Sequence, residues 1–240
     1  MEYTESLWMG YKCAEFEFDG TPAKVVIPNC KPNGKWAYKT EYFGAFPEVE
    51  VELLKRGWHI AYNKNFNRWA EPADLQRKIE FIHTVSREFE LEDRCALVGM
   101  SCGGMYAVKL CALAPELISV LYLDAPVINL LSCPFKLGIG KLDLRDEYFA
   151  ATGRGVSEML SYRDHPLDKL PVLTDNSIPV VLVCGDSDGV VPYEENGALV
   201  AEHYRRSGGV LELYIKPGCD HHPHGLEDPT PIVEFIEKHS

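Results

Sequence analysis

The stretch VGMSCGG, residues 98–104, places a serine between glycines where a short apolar strand must turn into a helix. The strand is predicted over residues 95–98, and a helix-forming run follows over residues 105–113. So tight a turn strains the serine backbone, and side chains larger than hydrogen beside it would collide with adjacent elements. Ser101 is therefore a candidate nucleophile. The backbone N–H of Cys102, at the helix start, is the natural first donor to an oxyanion.

Length, composition and charge bound the class of protein. With 240 residues and 46% apolar content, the chain can bury a substantial core, and we expect one domain over residues 1–240. The net charge of -12 argues against nucleic acid or an anionic membrane as a partner. No apolar run reaches membrane-spanning length, and the first residues lack the pattern of a secretory signal. We therefore expect a cytoplasmic protein.

The eight cysteines are scattered, and several fall in apolar segments, which favours reduced core thiols over a disulfide framework. No Cys-x-x-Cys pair supports a zinc ribbon or a thioredoxin-like motif. Cys102 adjoins the elbow, where a helix N-terminus can lower a thiol pKa. A small side chain packed behind the turn is the favoured interpretation for Cys102, and a redox role is the alternative.

Hydrophobic periodicity predicts an antiparallel hairpin from residues 13–18 and 23–28, and then a third short strand over residues 35–38. After this, strands and helices alternate, which predicts a parallel sheet with right-handed crossovers. Strands are predicted over residues 58–62, 95–98, 118–123, 179–184 and 210–216, and helices over residues 46–56, 72–89, 105–113, 194–207 and 230–239.

Residues 125–171 interrupt this alternation, since they are first rich in Pro and Gly and then weakly helical. We interpret them as a small lid or cap insertion that covers the carboxyl ends of the strands and shapes the acyl or alcohol pocket. The predicted class is α/β: a mostly parallel sheet with an antiparallel N-terminal hairpin, helices on both faces and a small cap.

Reacting groups gather at the carboxyl ends of parallel strands, because every strand-to-helix loop emerges there. A nucleophile, an acid and a base follow the predicted strands in the chain order Ser, Asp, His. A serine hydroxyl needs an imidazole to take its proton, and the imidazole needs a carboxylate to fix its tautomer. The candidates are Ser101; Asp124, Asp186 and Asp188; and His221, His222 and His224.

The chain resembles an α/β-hydrolase over most of its length. Residues 36–44, the elbow at Ser101, and residues 185–192 and 217–226 are similar to a bacterial serine-esterase branch allied to the prolyl-oligopeptidase-like hydrolases. In the resembled pattern the acid lies three places after a glycine and just before a Val-Pro run, which selects Asp188. The spacing Gly-x-x-His after the last strand favours His221.

The remaining candidate acids and bases have other interpretations. Asp186 suits a turn former that bonds loop amides, and Asp124 holds a position that some hydrolases of this fold use for the acid. His222 and His224 stay as alternative bases. We predict no metal and no cofactor, because adjacent histidines in an extended loop point apart and no distant Cys/His cluster completes a tetrahedral set.

A second oxyanion donor is expected in the loop after the third strand, around Lys39, where the chain departs from the common His-Gly version. The Lys39 side chain either contacts an anionic or hydroxyl-rich part of the substrate or is solvated at the surface. Arg68 and Trp69 follow the next strand, so we expect them to bind substrate, with aromatic faces stacking on a sugar ring or an aromatic acyl group.

The resemblance implies a serine carboxylic-ester hydrolase that works through an acyl-enzyme. The resembled branch contains esterases that deacylate carbohydrates, so small acyl esters, including those of sugars, are the expected small-molecule substrates. One alternative is a prolyl-oligopeptidase-type peptidase or amidase, whose usual large gating domain finds no room here. The other is a non-catalytic binding module, although such proteins typically lose a triad member. The sequence does not indicate an oligomeric state.

Overall fold

A mixed sheet of nine strands forms the centre of the molecule in the computed structural model, which describes residues 1–240. The strands are β1 (Thr4–Trp8), β2 (Tyr11–Phe18), β3 (Thr21–Ile27), β4 (Trp36–Lys39), β5 (His59–Asn63), β6 (Cys95–Met100), β7 (Ile118–Asp124), β8 (Val180–Gly185) and β9 (Leu211–Lys216). Their order is β1-β2-β3-β5-β4-β6-β7-β8-β9. The pairs β1/β2, β2/β3 and β3/β5 are antiparallel, and all later pairs are parallel. The predicted α/β fold class is confirmed.

Eight helices surround the sheet, and six of them cover its two faces. The eight are α1 (Glu48–Lys55), α2 (Pro72–Glu88), α3 (Cys102–Leu113), α4 (Arg145–Thr152), α5 (Val156–Ser161), α6 (Pro166–Asp175), α7 (Gly197–Ser207) and α8 (Thr230–His239). The core lies in two layers, because strand side chains alternate between the faces. Leu97 belongs to the layer that contains side chains of α2, α3, α6 and α7, whereas its neighbour Val98 belongs to the layer that contains side chains of α1 and α8. None of the helices is both long and apolar enough for a membrane crossing.

The segment predicted as a lid divides into two parts. Its last residues begin α6, which packs against α3 and α7 and therefore belongs to the layer that covers the sheet. The part of the segment outside this layer thus ends near residue 165 and contains α4 and α5. Tyr148 of α4 is 1% exposed and lies edge-on to Trp69, which joins this part of the chain to the main body, and to Phe135 within the same segment.

Candidate active site

Ser101 alone makes the turn between β6 and α3, since β6 ends at Met100 and α3 begins at Cys102. Its backbone has φ 51° and ψ -120°, which is a strained conformation for any residue with a side chain. Hydrogen bonds hold the strained peptide from both sides: the Ser101 N–H donates to the Asp124 carbonyl at 2.9 Å, and the Val127 N–H donates to the Ser101 carbonyl at 2.9 Å. The elbow predicted from the sequence is therefore present.

The glycines around Ser101 are required by close approach. A Cβ atom on Gly99 would lie 2.8 Å from the Gly103 carbonyl oxygen, and one on Gly104 would lie 2.3 Å from the Pro126 Cβ. Gly103 is less restricted, because its nearest neighbour would be the Thr40 hydroxyl at 3.0 Å. The sequence predicted these collisions, and the structure names their partners.

Ser101, His221 and Asp188 form one hydrogen-bonded series, although they come from loops after three different strands. The Ser101 Oγ lies 3.1 Å from His221 Nε2, and His221 Nδ1 lies 2.7 Å from Asp188 Oδ2. The other Asp188 oxygen accepts the N–H groups of Val190 and Val191, both at 2.8 Å. His221 and Asp188 are each 7% exposed, so the series is largely shielded from water. The structure brings together the three groups selected from the sequence.

The neighbouring carboxylates Asp186 and Asp220 shape the two loops. Asp186 is exposed and accepts the Gly218 N–H at 2.7 Å, as its interpretation as a turn former predicts. Asp220 accepts the N–H groups of Gly189 and His221, both at 2.8 Å, and so ties the acid loop to the base loop. These two backbone donors hold the pKa of Asp220 below its usual range.

Asp124 and His224 form a second buried carboxylate–imidazole pair beside the first. His224 Nδ1 lies 2.6 Å from Asp124 Oδ1, and Asp124 Oδ2 accepts the Tyr122 hydroxyl at 2.7 Å and the Gly225 N–H at 2.6 Å. The His224 ring does not bond to the Ser101 hydroxyl, and the Asp124 carboxylate does not bond to His221, so their alternative roles as base and acid have no support in the geometry.

His222 is exposed, and its ring stacks on Phe46 with centroids 5.5 Å apart. Partial burial, with smaller effects from His221 and His224, lowers the pKa of His222. The centroids of the three histidine rings are 4.9 Å apart in every pair. The expectation that these side chains point apart is therefore wrong, because the chain turns between His222 and His224 and brings all three rings to one cavity wall.

Cys102 starts α3, so its backbone N–H has no partner within the helix and is free to face an oxyanion. Its side chain is 3% exposed. Burial raises the pKa of the Cys102 thiol to about 11, which keeps it protonated despite its position at a helix N-terminus. The favoured interpretation, a small side chain packed behind the turn, fits this environment.

The prediction that Lys39 lies at the oxyanion position is wrong. Its side chain is 1% exposed, with Nζ 2.7 Å from Glu50 Oε1 and 2.6 Å from the Ala45 carbonyl oxygen, so it reaches neither substrate nor solvent. Its backbone N–H is also unsuited. The Thr40 N–H donates to Val98 on β6, and consecutive peptide groups of a strand point to opposite neighbours, which directs the Lys39 N–H toward β5.

Tyr42 is the residue of this loop that sequence reasoning missed. It lines the cavity at Ser101, as Cys102 does. Burial raises the pKa of Tyr42 well above its usual range, so its hydroxyl keeps its proton and remains a donor. A phenol in the loop directly after β4 was the available signal, because a tyrosine hydroxyl can donate to an oxyanion as a backbone N–H does.

A cavity of about 340 Å³ opens above Ser101. Of the two residues predicted to bind substrate, only one lines this cavity. Arg68 lines it and pairs with Glu147 of α4, with Arg68 Nε 2.9 Å from Glu147 Oε1. Trp69 does not line it: the indole is 1% exposed and packs against Tyr148. The prediction that Trp69 contacts substrate is therefore wrong. Most of the cavity wall is apolar, including Phe46, Leu142, Leu144, Val190 and Val191.

Comparison with known proteins agrees with this architecture. Residues 58–239 match the model of the prolyl oligopeptidase family. A prolyl endopeptidase-like protein of Gallus gallus is 27% identical over an alignment 114 residues long, which covers 42% of this chain and 16% of that relative. The match thus spans less than a fifth of the relative's length.

Two solved structures have similar folds. The acylaminoacyl peptidase of Pyrococcus horikoshii is 13% identical, with a TM-score of 0.69 over 88% of this chain and 38% of that chain. The S-formylglutathione hydrolase of Agrobacterium tumefaciens is 15% identical, with a TM-score of 0.63 over 98% of this chain and 95% of that chain. At these identities the likeness concerns the fold. Because the family model covers three quarters of the chain, the protein belongs to the prolyl oligopeptidase family and has an α/β-hydrolase fold.

Proposed function

We propose that this protein is a serine carboxylic-ester hydrolase that works through an acyl-enzyme on Ser101. The observation that carries the proposal is the series Ser101–His221–Asp188, joined by hydrogen bonds of 3.1 and 2.7 Å, whose serine and histidine line the cavity. A strained serine, a buried imidazole and a carboxylate in this arrangement are the components of nucleophilic acyl transfer.

The reaction follows from the positions of these atoms. As the Ser101 Oγ attacks the ester carbonyl, His221 Nε2 takes its proton, while Asp188 keeps the other proton on Nδ1 and stabilises the imidazolium. The Cys102 N–H and the Tyr42 hydroxyl are the donors proposed for the oxyanion. His221 then gives its proton to the leaving alcohol, and a water molecule repeats the sequence to release the acid.

The cavity favours a small acyl group on a hydroxyl-rich alcohol. Its volume of about 340 Å³ and its apolar wall suit a short acyl chain. A second, more polar depression of about 320 Å³ adjoins it and shares Tyr42 and Arg68 with it. The amides of Asn65 and Asn67 and the Tyr62 ring line this depression beside the charged side chains of Glu41, Lys64 and Glu147, and such groups bind sugar hydroxyls and sugar faces.

Family membership keeps a peptidase or amidase as the second candidate, because the names of several similar proteins specify peptidases. The cavity argues against one that binds a free amino terminus. No carboxylate is among its lining residues, and the charged side chain there is the cationic Arg68, which repels an ammonium group.

Replacing the nucleophile tests the mechanism directly. Ser101→Ala should lower kcat for a short-chain aryl ester by about 10⁴ or more, because the general base then has no nucleophile to activate. The matched control is Ser207→Ala, an exposed serine at the end of α7, which should retain full turnover. A Ser101→Ala variant that is as active as the wild type contradicts the mechanism.

Two further assays separate the alternatives. Stoichiometric labelling of Ser101 by a fluorophosphonate is expected, and its absence would favour a non-catalytic module. Matched ester and amide substrates with the same acyl group should differ strongly in kcat/KM, with the ester preferred. Comparable kcat/KM values for the amide would assign the protein to the peptidases.

A further inference from the structure

We propose that His221, His222 and His224 bind a divalent transition-metal ion, for which Zn²⁺ is the best fit, and that a bound ion switches off the hydrolase. One ligand nitrogen from each ring lies within 4.8 Å of the other two. All three side chains line the cavity above Ser101, so an ion has a path to them from solvent.

Two of the three imidazoles are already held in the way that metal ligands are held. His221 and His224 each have Nδ1 bonded to a buried carboxylate, Asp188 at 2.7 Å and Asp124 at 2.6 Å. This leaves Nε2 of each ring as the ligand atom. A carboxylate behind a histidine fixes the ring, sets its tautomer and raises its basicity toward a metal.

The third imidazole is the exposed one and can turn to complete the site. His222 is exposed and makes no hydrogen bond through its ring, so it can adjust at little cost. Around Zn²⁺ with Zn–N bonds of ~2.0–2.1 Å, tetrahedral ligands lie ~3.4 Å apart. The ligand nitrogens, which lie within 4.8 Å of one another, must therefore approach by at most about 1.4 Å to share one ion.

The donor set selects the ion. Three neutral imidazoles with an open fourth position suit Zn²⁺ and its neighbours in the transition series, whereas Mg²⁺ and Ca²⁺ require oxygen ligands. The two carboxylates behind the rings and the net charge of -12 both favour a cation at this position.

Binding and catalysis compete for one atom. The His221 Nε2 lone pair that would coordinate the ion is the one that accepts the Ser101 hydroxyl hydrogen bond at 3.1 Å. A coordinate bond to the metal replaces that hydrogen bond, and Ser101 loses its base. The inhibition rests on the proposed function, but the binding of the ion does not.

Zn²⁺ titration of the untagged protein, followed by calorimetry and by competition with a chromophoric chelator, tests binding without catalysis. We expect one high-affinity ion per chain, in the wild type and in Ser101→Ala. His222→Ala and His224→Asn should each weaken binding at least tenfold, and Asp124→Asn should weaken it by about 10- to 100-fold through the ring that it holds. His222 is exposed, so its variant tests the site even if His224→Asn misfolds.

The matched control is His83→Ala, an exposed histidine on α2, which should bind Zn²⁺ like the wild type. Mg²⁺ should give no binding signal. Co²⁺ should bind with the intense visible absorption of a tetrahedral complex, and that absorption should disappear in His222→Ala. Zinc affinity that is unchanged in both histidine variants would place the ion elsewhere and overturn the proposal.

The same ion should slow both ester turnover and fluorophosphonate labelling of Ser101 at least tenfold at saturation, and a chelator should restore both rates. Fractional inhibition at a fixed Zn²⁺ concentration should be smaller in His222→Ala than in the wild type. Active protein that neither binds nor responds to Zn²⁺ would reject the metal site and leave the hydrolase intact. Protein that binds Zn²⁺ through these histidines but hydrolyses no ester would reject the hydrolase alone.

Discussion

At the scale of single residues, the site depends on a backbone conformation that the rest of the chain must hold in place. A side-chain-bearing residue at φ 51° costs of order 1–3 kcal/mol, and Ser101 persists there because its N–H and its carbonyl are both bonded to the segment that leaves β7. The same segment supplies Pro126, which packs directly on Gly104. The conformation of the turn at Ser101 therefore depends on its contacts with residues 124–127.

Gly104→Ala tests this contact. Its new Cβ would lie 2.3 Å from the Pro126 Cβ and 2.8 Å from the Pro126 Cα, so the backbone must shift. We expect a loss of about 1–3 kcal/mol in the free energy of unfolding and a large loss of kcat. Gly103→Ala is the matched control, because its contact at 3.0 Å is with the Thr40 side chain. Equal effects of the two substitutions, measured by urea denaturation and ester turnover, would contradict this explanation.

The buried ion pair of Lys39 and Glu50 predicts how the removal of one charge should change the stability of the protein. Both side chains are 1% exposed, and neither Glu50 oxygen has an aligned hydrogen-bond partner, so the charge of Lys39 is what balances Glu50. Lys39→Met leaves a buried unpaired carboxylate and should lower the free energy of unfolding by about 3–5 kcal/mol.

The double variant Lys39→Met/Glu50→Leu removes both charges and should recover most of that loss. Urea denaturation of the single and double variants measures the difference. A double variant that is no more stable than Lys39→Met alone would show that the packing of the lysine chain, rather than charge balance, stabilises this region.

At the scale of single elements, β5 contains a titratable group that its burial keeps neutral. His59 is 5% exposed, its Nδ1 has no hydrogen-bond partner, and burial lowers its pKa from 6.5 to about 4. Between these values the unfolded chain binds the proton more tightly than the folded protein does. The free energy of unfolding should therefore fall as pH drops from 6.5 toward 4, by up to about 1.4 kcal/mol per pH unit from this group.

His59→Leu should flatten that part of the pH–stability curve, because leucine keeps the strand buried and cannot titrate. His83→Leu, on the exposed face of α2, should leave the slope as it is in the wild type. Denaturation at several pH values between 4 and 7 measures both slopes. If the His59→Leu slope equals that of the wild type, another buried group controls the acid sensitivity.

The helices and strands also show how much of the fold can be predicted from the sequence. The parallel strands and α2, α3 and α8 were predicted to within a few residues, because their periodicity comes from burial on one or both faces. β1 was missed: this edge strand, with the sequence TESLW, is mostly exposed and has no apolar alternation. The helix α6 was missed because Pro171 lies inside it, and its first residues were assigned to the lid.

Some residues of the candidate site were also predicted correctly from the sequence, and others were not. Ser101 followed from local sterics, whereas the selection of Asp188 and His221 depended on the resemblance to a known family. Trp69 was misassigned because position after a strand does not reveal whether a loop side chain faces the cavity or the core. The approach of three histidine rings is a tertiary result, which spacing alone does not determine.

At the scale of the whole molecule, the sheet places groups 120 residues apart within hydrogen-bond distance, but the cavity walls need a separate link. The segment after β7 forms one wall, and the loop after β8 forms another. Asn196, 1% exposed, joins them: its Oδ1 accepts the N–H groups of Ile128 and Asn129, both at 3.0 Å, and its Nδ2 donates to the Pro192 carbonyl at 3.1 Å.

Asn196→Ala should therefore disturb the cavity without touching Ser101. The substitution leaves the N–H groups of Ile128 and Asn129 without acceptors, which costs about 1–3 kcal/mol of stability for each group that stays buried. It also removes the link to the wall that contains Cys133 and Leu142. We expect faster amide hydrogen exchange over residues 127–142 and a higher KM for the ester. Asn176→Ala, which removes an exposed asparagine that bonds only to the Val172 carbonyl at 2.8 Å, should change neither. Unchanged exchange in Asn196→Ala would mean that each wall is held by its own contacts, and the cavity would then be shaped by local packing rather than by this link.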